Sequence, residues 1–155
     1  MTLCIVWDTS GSMAEWAKVL VARGVARAIE QYVRLGYGSA DLKLVAWSHE
    51  ACVLDWTSDR EFPREVLVPG GSANAKALTA FFGTELPEKV LLLTDGFWSN
   101  EDAEEIKRWK HGLPPDTIRI IKIGADASTQ VTGSDVFVAE DVFAALDGWV
   151  KGGGA

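Results

Sequence analysis

Three short segments hold most of the clustered polar chemistry in this 155-residue chain. Asp8-Thr9-Ser10-Gly11-Ser12 follows one apolar run, Gly70-Gly71-Ser72 closes a loop, and Thr94-Asp95-Gly96 ends a second apolar run. Together they offer two carboxylates, several hydroxyls and glycines that permit close backbone approach, with no histidine or cysteine among them. Hard oxygen donors without nitrogen or sulfur suit Mg²⁺, Mn²⁺ or Ca²⁺, not zinc. Ser10 and Ser12 sit two apart, so a turn-like loop can aim both hydroxyls at one point, with Gly11 relieving the crowding. Mg²⁺ readily keeps several waters, so few protein ligands suffice. The same first segment also suits a plainer role, because Asp8, Ser10 or Ser12 could cap the helix that follows.

The elements that must position these segments alternate in type. Strand-length apolar runs span Leu3–Trp7, Leu42–Trp47, Cys52–Trp56, Val90–Thr94, Ile118–Ile123 and Val136–Val138. A long helical pattern places Trp16, Val19, Ala22, Ala26, Ile29 and Val33 on one stripe, with Lys18, Arg23, Arg27, Glu30 and Arg34 mostly off it. Gly36 and Gly38 stop that helix. Ser48-His49-Glu50 reads as a hairpin turn, and 57–71 as a loop. Ser72 or Asn74 can cap a helix whose inner face is Ala75, Leu78, Phe81 and Phe82. The helix after Asn100 opens with acids and closes with Lys107, Arg108, Lys110 and His111, matching the helix dipole at both ends. A last helix, Glu140–Val150, puts Val142, Phe143, Leu146, Trp149 and Val150 on one face. This alternation predicts a doubly wound, parallel-rich α/β sheet covered on both faces, in a single domain over 1–151 with a flexible Gly-rich tail at 152–155. Ligands of such sheets bind beyond the carboxyl ends of the strands, where all three polar segments fall.

Asp8-x-Ser10-x-Ser12, the Gly-Gly-Ser72 loop and Thr94-Asp95-Gly96 together resemble the metal-ion-dependent adhesion site (MIDAS) of von Willebrand factor type A domains. The resemblance covers nearly the whole chain, since strands and helices follow that family's order. It implies an open sheet, mostly parallel with one short antiparallel edge strand, which Cys52–Trp56 would supply. It also implies metal ligation by Asp8, Ser10 and Ser12, with Ser72 where the family usually has threonine, and with Asp95 contributing from the fourth strand, often through water. Ser72 keeps the hydroxyl but loses the stiff β-branched rotamer; Asn74 is a substitute if the loop register differs. The expected cofactor is Mg²⁺, with Mn²⁺ or Ca²⁺ as alternatives. The expected function is a metal-dependent protein-interaction module whose ion is completed by a partner's Asp or Glu, with ligand exchange coupled to the final helix. Analogy with small bacterial type A domains points to an AAA-type ATPase, kinase or phosphatase system as partner.

Composition narrows the alternatives. The formal net charge of −7 and a pI near 4.8 disfavour nucleic acid and anionic membranes as partners. No apolar run is long enough to span a bilayer, and the N-terminus lacks signal-peptide features, so a cytoplasmic location is expected. Cys4 and Cys52 each lie in apolar runs and read as two buried thiols. A Mg²⁺-dependent phosphohydrolase would need a second carboxylate two residues after Asp8, where Ser10 stands, and a serine hydrolase would need a histidine in reach. His49 and His111 are placed away from the site edge. The chain is therefore not expected to be an enzyme; a structural adaptor with a vestigial metal site is the third reading. Trp98, just past the Asp95 segment, is a candidate partner contact, followed by Phe97 and Trp16.

Overall fold

A computed structural model describes residues 1–36, 40–83 and 89–150. Six strands form one sheet in the order β3-β2-β1-β4-β5-β6. They are β1 Thr2–Asp8, β2 Asp41–Trp47, β3 Ala51–Leu54, β4 Lys89–Thr94, β5 Ile118–Lys122 and β6 Val136–Val138. All neighbours pair in parallel except β3, which runs antiparallel to β2 with Leu44 opposite Leu54 and Trp47 opposite Ala51. The helices are α1 Lys18–Arg34, α2 Arg64–Leu67, α3 Ala75–Phe82, α4 Asn100–His111 and α5 Val142–Leu146.

The strand period of two divides the core into layers. Leu3, Ile5 and Trp7 of β1 join Leu91 and Leu93 of β4 under α1 and α5. Cys4, Val6, Val90 and Leu92 face the other way, toward α3 and α4. Burial on both faces explains why these strands read as unbroken apolar runs.

Several boundaries differ from the sequence expectation, each for a physical reason. Helix α1 starts at Lys18, because Trp16 and Ala17 take left-handed backbone (φ 54° and 59°) and reset the helical phase. Its buried face is therefore Lys18, Ala22, Val25, Ala26, Ile29, Glu30 and Tyr32, and Trp16 lies outside the helix, exposed. Glu30 is buried because Arg27 and Arg34 clamp it at 3.3 and 2.5 Å. The 57–71 segment contains the short α2. Neither Ser72 nor Asn74 caps α3 through its side chain; the Asp102 carboxylate accepts from the Ala75 N–H at 2.9 Å. Phe81 turns outward from α3. The last helix shrinks to α5 after a 3-10 turn at Ala139–Asp141, with Gly148 at φ 75° in the turn beyond it and Phe143 exposed. The third strand ends at Leu54, and Cys52 is exposed on this edge while Cys4 is buried. Gly38 and the 152–155 tail lie outside the described residues. Among those described, no helix is long and apolar enough to cross a membrane.

Candidate metal centre

The parallel ladder carries β1, β2 and β4 to the same edge, so the residues that follow them meet there. Asp8 ends β1 and is fully buried. Its Oδ1 accepts from the Ser10 N–H at 2.9 Å and its Oδ2 from the Thr94 hydroxyl at 2.6 Å, which ties the ends of β1 and β4 together. Ser10 is buried and precedes a 3-10 turn at Gly11–Ala14, with Ser12 partly exposed inside it. The Gly70-Gly71-Ser72 loop is sewn to this segment by backbone: Gly11 N–H donates to Gly71 O at 2.8 Å, and Gly70 N–H to Thr9 O at 2.8 Å. A Cβ on Gly11 would stand 3.3 Å from Gly71 O, so the close approach favours glycine. Ser72 follows as an exposed residue. Asp95, fully buried, accepts from the Phe97 N–H at 3.2 Å through Oδ1.

The structure thus brings Asp8, Ser10, Ser12 and Asp95 to one edge, with Ser72 on the loop bonded to it. Asn74 is diverted: its Nδ2 donates to His49 O at 3.3 Å, and its N–H to Ser48 O at 2.8 Å. That contact also corrects the placement of His49, whose hairpin turn lies on the site edge, beside the Ser72 loop. His111, at the far end of α4, does not.

Burial pushes the Asp8 carboxyl above its ordinary range, with the Asp95 charge adding to the rise and hydrogen bonds from Ser10 and Thr94 opposing it. Among the described residues no cation pairs with Asp8; the Ser10 amide and the Thr94 hydroxyl that donate to it are neutral. A buried carboxylate lacking a counter-ion is costly, and a bound cation would relieve that cost. With oxygen-only donors around it, the edge fits a hard divalent ion.

Lys18, which sequence reasoning placed off the buried stripe, is the residue it missed here. Its Nζ lies 3.0 Å from Asp95 Oδ2, 3.1 Å from Asp126 Oδ2 and 3.3 Å from Ser12 O, with the Lys18 side chain fully buried. Burial acts to lower the Lys18 pKa, but the Asp95 and Asp126 carboxylates outweigh it and hold it above the ordinary value. Of the aromatic candidates, Trp98 is half-buried and packs edge-on against Trp47, with ring centroids 6.2 Å apart. Phe97 covers the Lys18 ammonium at 5.1 Å and is 49% exposed, while Trp16 is 78% exposed.

No protein-family model and no curated protein sequence matches the chain. Its fold is similar to several solved structures. Manganese-loaded TRAP protein of Plasmodium vivax aligns over 98% of this chain and 74% of its own, at 14% identity and a TM-score of 0.60. Proximal thread matrix protein 1 of the mussel byssus, with a zinc-occupied MIDAS motif, aligns over 94% of this chain and 44% of its own, at 18% identity and a TM-score of 0.55. The ArnB paralog VWA2 from Sulfolobus acidocaldarius aligns over 79% and 34%, at 18% identity and a TM-score of 0.53. The chain spans less than half the length of the byssus and Sulfolobus proteins.

Proposed function

The chain has the von Willebrand factor type A fold, and we propose that it is a divalent-metal-dependent protein-interaction module. Asp8, Ser10 and Ser12 would hold the ion, with Ser72 and Asp95 assisting. When bound, the ion supplies a positive docking point for a carboxylate donated by a partner's Asp or Glu. The observation that carries this reading is Asp8: a fully buried carboxylate with no cationic partner among the described residues, at the junction of three segments rich in oxygen donors. The manganese and zinc held by two proteins of similar fold support a divalent ion at this edge; Mg²⁺ is our choice because the donors are hard oxygens.

Each residue has a part that needs no chemistry on the partner. Thr94 and the Ser10 amide orient the Asp8 carboxylate, and the Gly11–Gly71 bond sets the distance between the first loop and Ser72. Exposed Phe97 and Trp16 flank the edge and would pack against apolar residues beside the donated acid. Ser10 stands where a phosphohydrolase would need its acid, so we assign no catalysis. A cytoplasmic location and an AAA-type ATPase or signalling component as partner belong to this proposal. Affinity capture from lysate with and without EDTA tests it. Partners retained in Mg²⁺ and released by EDTA, and lost with Asp8→Ala and Ser10→Ala at unchanged folding, are expected. Identical partners under both conditions would remove the metal from the interface.

A further inference from the structure

We propose that Lys18 is an internal competitor for the metal, its ammonium occupying the Asp95 carboxylate that the ion would otherwise use. This inference rests on the metal-dependent reading above and concerns how tightly that site closes on an ion. The three donors of an ammonium find three oxygens here: Asp95 Oδ2, Asp126 Oδ2 and the Ser12 carbonyl, at 3.0, 3.1 and 3.3 Å. Of these, the Asp95 carboxylate belongs to the set assigned to the metal, and the Ser12 carbonyl ties the ammonium to the loop whose hydroxyls would face the ion. The ammonium is therefore a monovalent cation held by one of the metal's own carboxylates.

Its seat is built around it. Gly124, at φ 99°, would place a Cβ 2.8 Å from Lys18 Cε and 3.1 Å from Cγ, so any side chain there collides with the lysine stem. Two consecutive left-handed residues, Trp16 and Ala17, turn the chain so that the first residue of α1 points inward. The Phe97 ring lies over the ammonium at 5.1 Å. A lysine serving only solubility would need none of these features, since its charge would sit in water.

Two opposed consequences follow. The positive charge of Lys18 repels an incoming divalent ion and holds Asp95 away from it. Asp126, whose side chain is 39% exposed, draws the ammonium toward the surface and partly cancels it. Removing Lys18 therefore tightens metal binding, and removing the charge of Asp126 weakens it.

The test is calorimetric titration of MnCl₂ into the wild-type chain, Lys18→Met and Asp126→Asn, paired with the Mn²⁺-dependent shift in Tm. Lys18→Met should bind at least about tenfold tighter, and Asp126→Asn about threefold weaker. The metal-free Lys18→Met protein should melt lower, because Asp95 and Asp126 lose their counter-ion, and should recover more than wild type on adding Mn²⁺. If it does not fold, the weakening by Asp126→Asn decides alone. Equal affinities across the folded proteins, or weaker binding by Lys18→Met, overturn the inference while leaving the metal site in place. Absence of Mn²⁺ binding in all of them would instead overturn the metal reading, and the competitor role with it.

Discussion

Asp8 shows how a site can work against the fold that carries it. A carboxyl whose pKa is raised by folding contributes stability that is complete below its ordinary range and is lost as pH rises through the folded value. Above that folded value the ionised Asp8 thus opposes folding until a cation joins it. Asp8→Asn keeps an oxygen for the Ser10 N–H and offers its amide N–H to Thr94 Oγ1, so it should raise the metal-free Tm by about 2–4 °C. The same variant should show no Tm response to Mn²⁺, where wild type gains; thermal melts with and without the ion check both. The two cysteines separate just as cleanly. Burial pushes the Cys4 thiol up to about 12, with Lys43 pulling slightly the other way. Its contribution to stability is complete below the ordinary thiol range near 8.5 and is lost as pH climbs toward the folded value. Alkylation at pH 8 should therefore modify Cys52 alone, and Cys52→Ser should leave a protein that labels only in denaturant. Rapid labelling of both thiols in the native state would contradict the burial of Cys4.

At the scale of elements, the turn into α1 is the costly feature. Non-glycine residues in left-handed backbone cost roughly 1–2 kcal/mol each, and here two stand in succession. Ala17→Gly should therefore stabilise the chain by about 1 kcal/mol in urea unfolding, since the strain relieved exceeds the entropy added to the unfolded state. An unchanged midpoint would mean that this turn carries no strain. The same turn separates what was legible in the residues from what was not. Asp8, Ser10, Ser72 and Asp95 could be placed on one edge because three follow strand runs, Ser72 follows a paired glycine, and parallel strands deliver their carboxyl ends together. The antiparallel β3 was legible from the short hairpin turn between two apolar runs. Lys18 was not, because periodicity must be counted from a helix start, and two left-handed residues moved that start by two positions. Its charge then read as solvent exposure, since a buried lysine is recognised only through partners such as Asp126, 108 positions away in sequence. The packing of Trp98 was illegible for a related reason: its ring partner, Trp47, is distant in sequence. The last helix was overdrawn because apolar spacing continues through Trp149 and Val150, which are buried in turns beyond α5.

At the scale of the whole molecule, the charge of −7 acts on any cation that approaches it. A chain of this length has a radius of gyration of about 15 Å. The Debye length is about 30 Å at 0.01 M salt and about 8 Å at 0.15 M, so the entire charge is felt in the first condition and only its near part in the second. A divalent ion should consequently bind about three- to tenfold more weakly at 0.15 M KCl than at 0.01 M, with no change in the coordinating residues. Charges far from the site should share in this effect. Asp41 begins β2 on the opposite edge of the sheet. Asp41→Lys takes the net charge from −7 to −5 and should weaken Mn²⁺ binding at low salt while flattening its salt dependence. At 0.15 M this variant and wild type should converge, because screening has already removed the distant contribution. Replacing Lys18 differs in kind: that charge lies 3.0 Å from Asp95 and is shielded from solvent, so its effect on affinity should persist at both salt concentrations. Measuring Mn²⁺ affinity for all three proteins at two ionic strengths separates the field of the molecule from the ammonium within its site, and a Lys18 effect that vanished in salt would place that ammonium outside the centre.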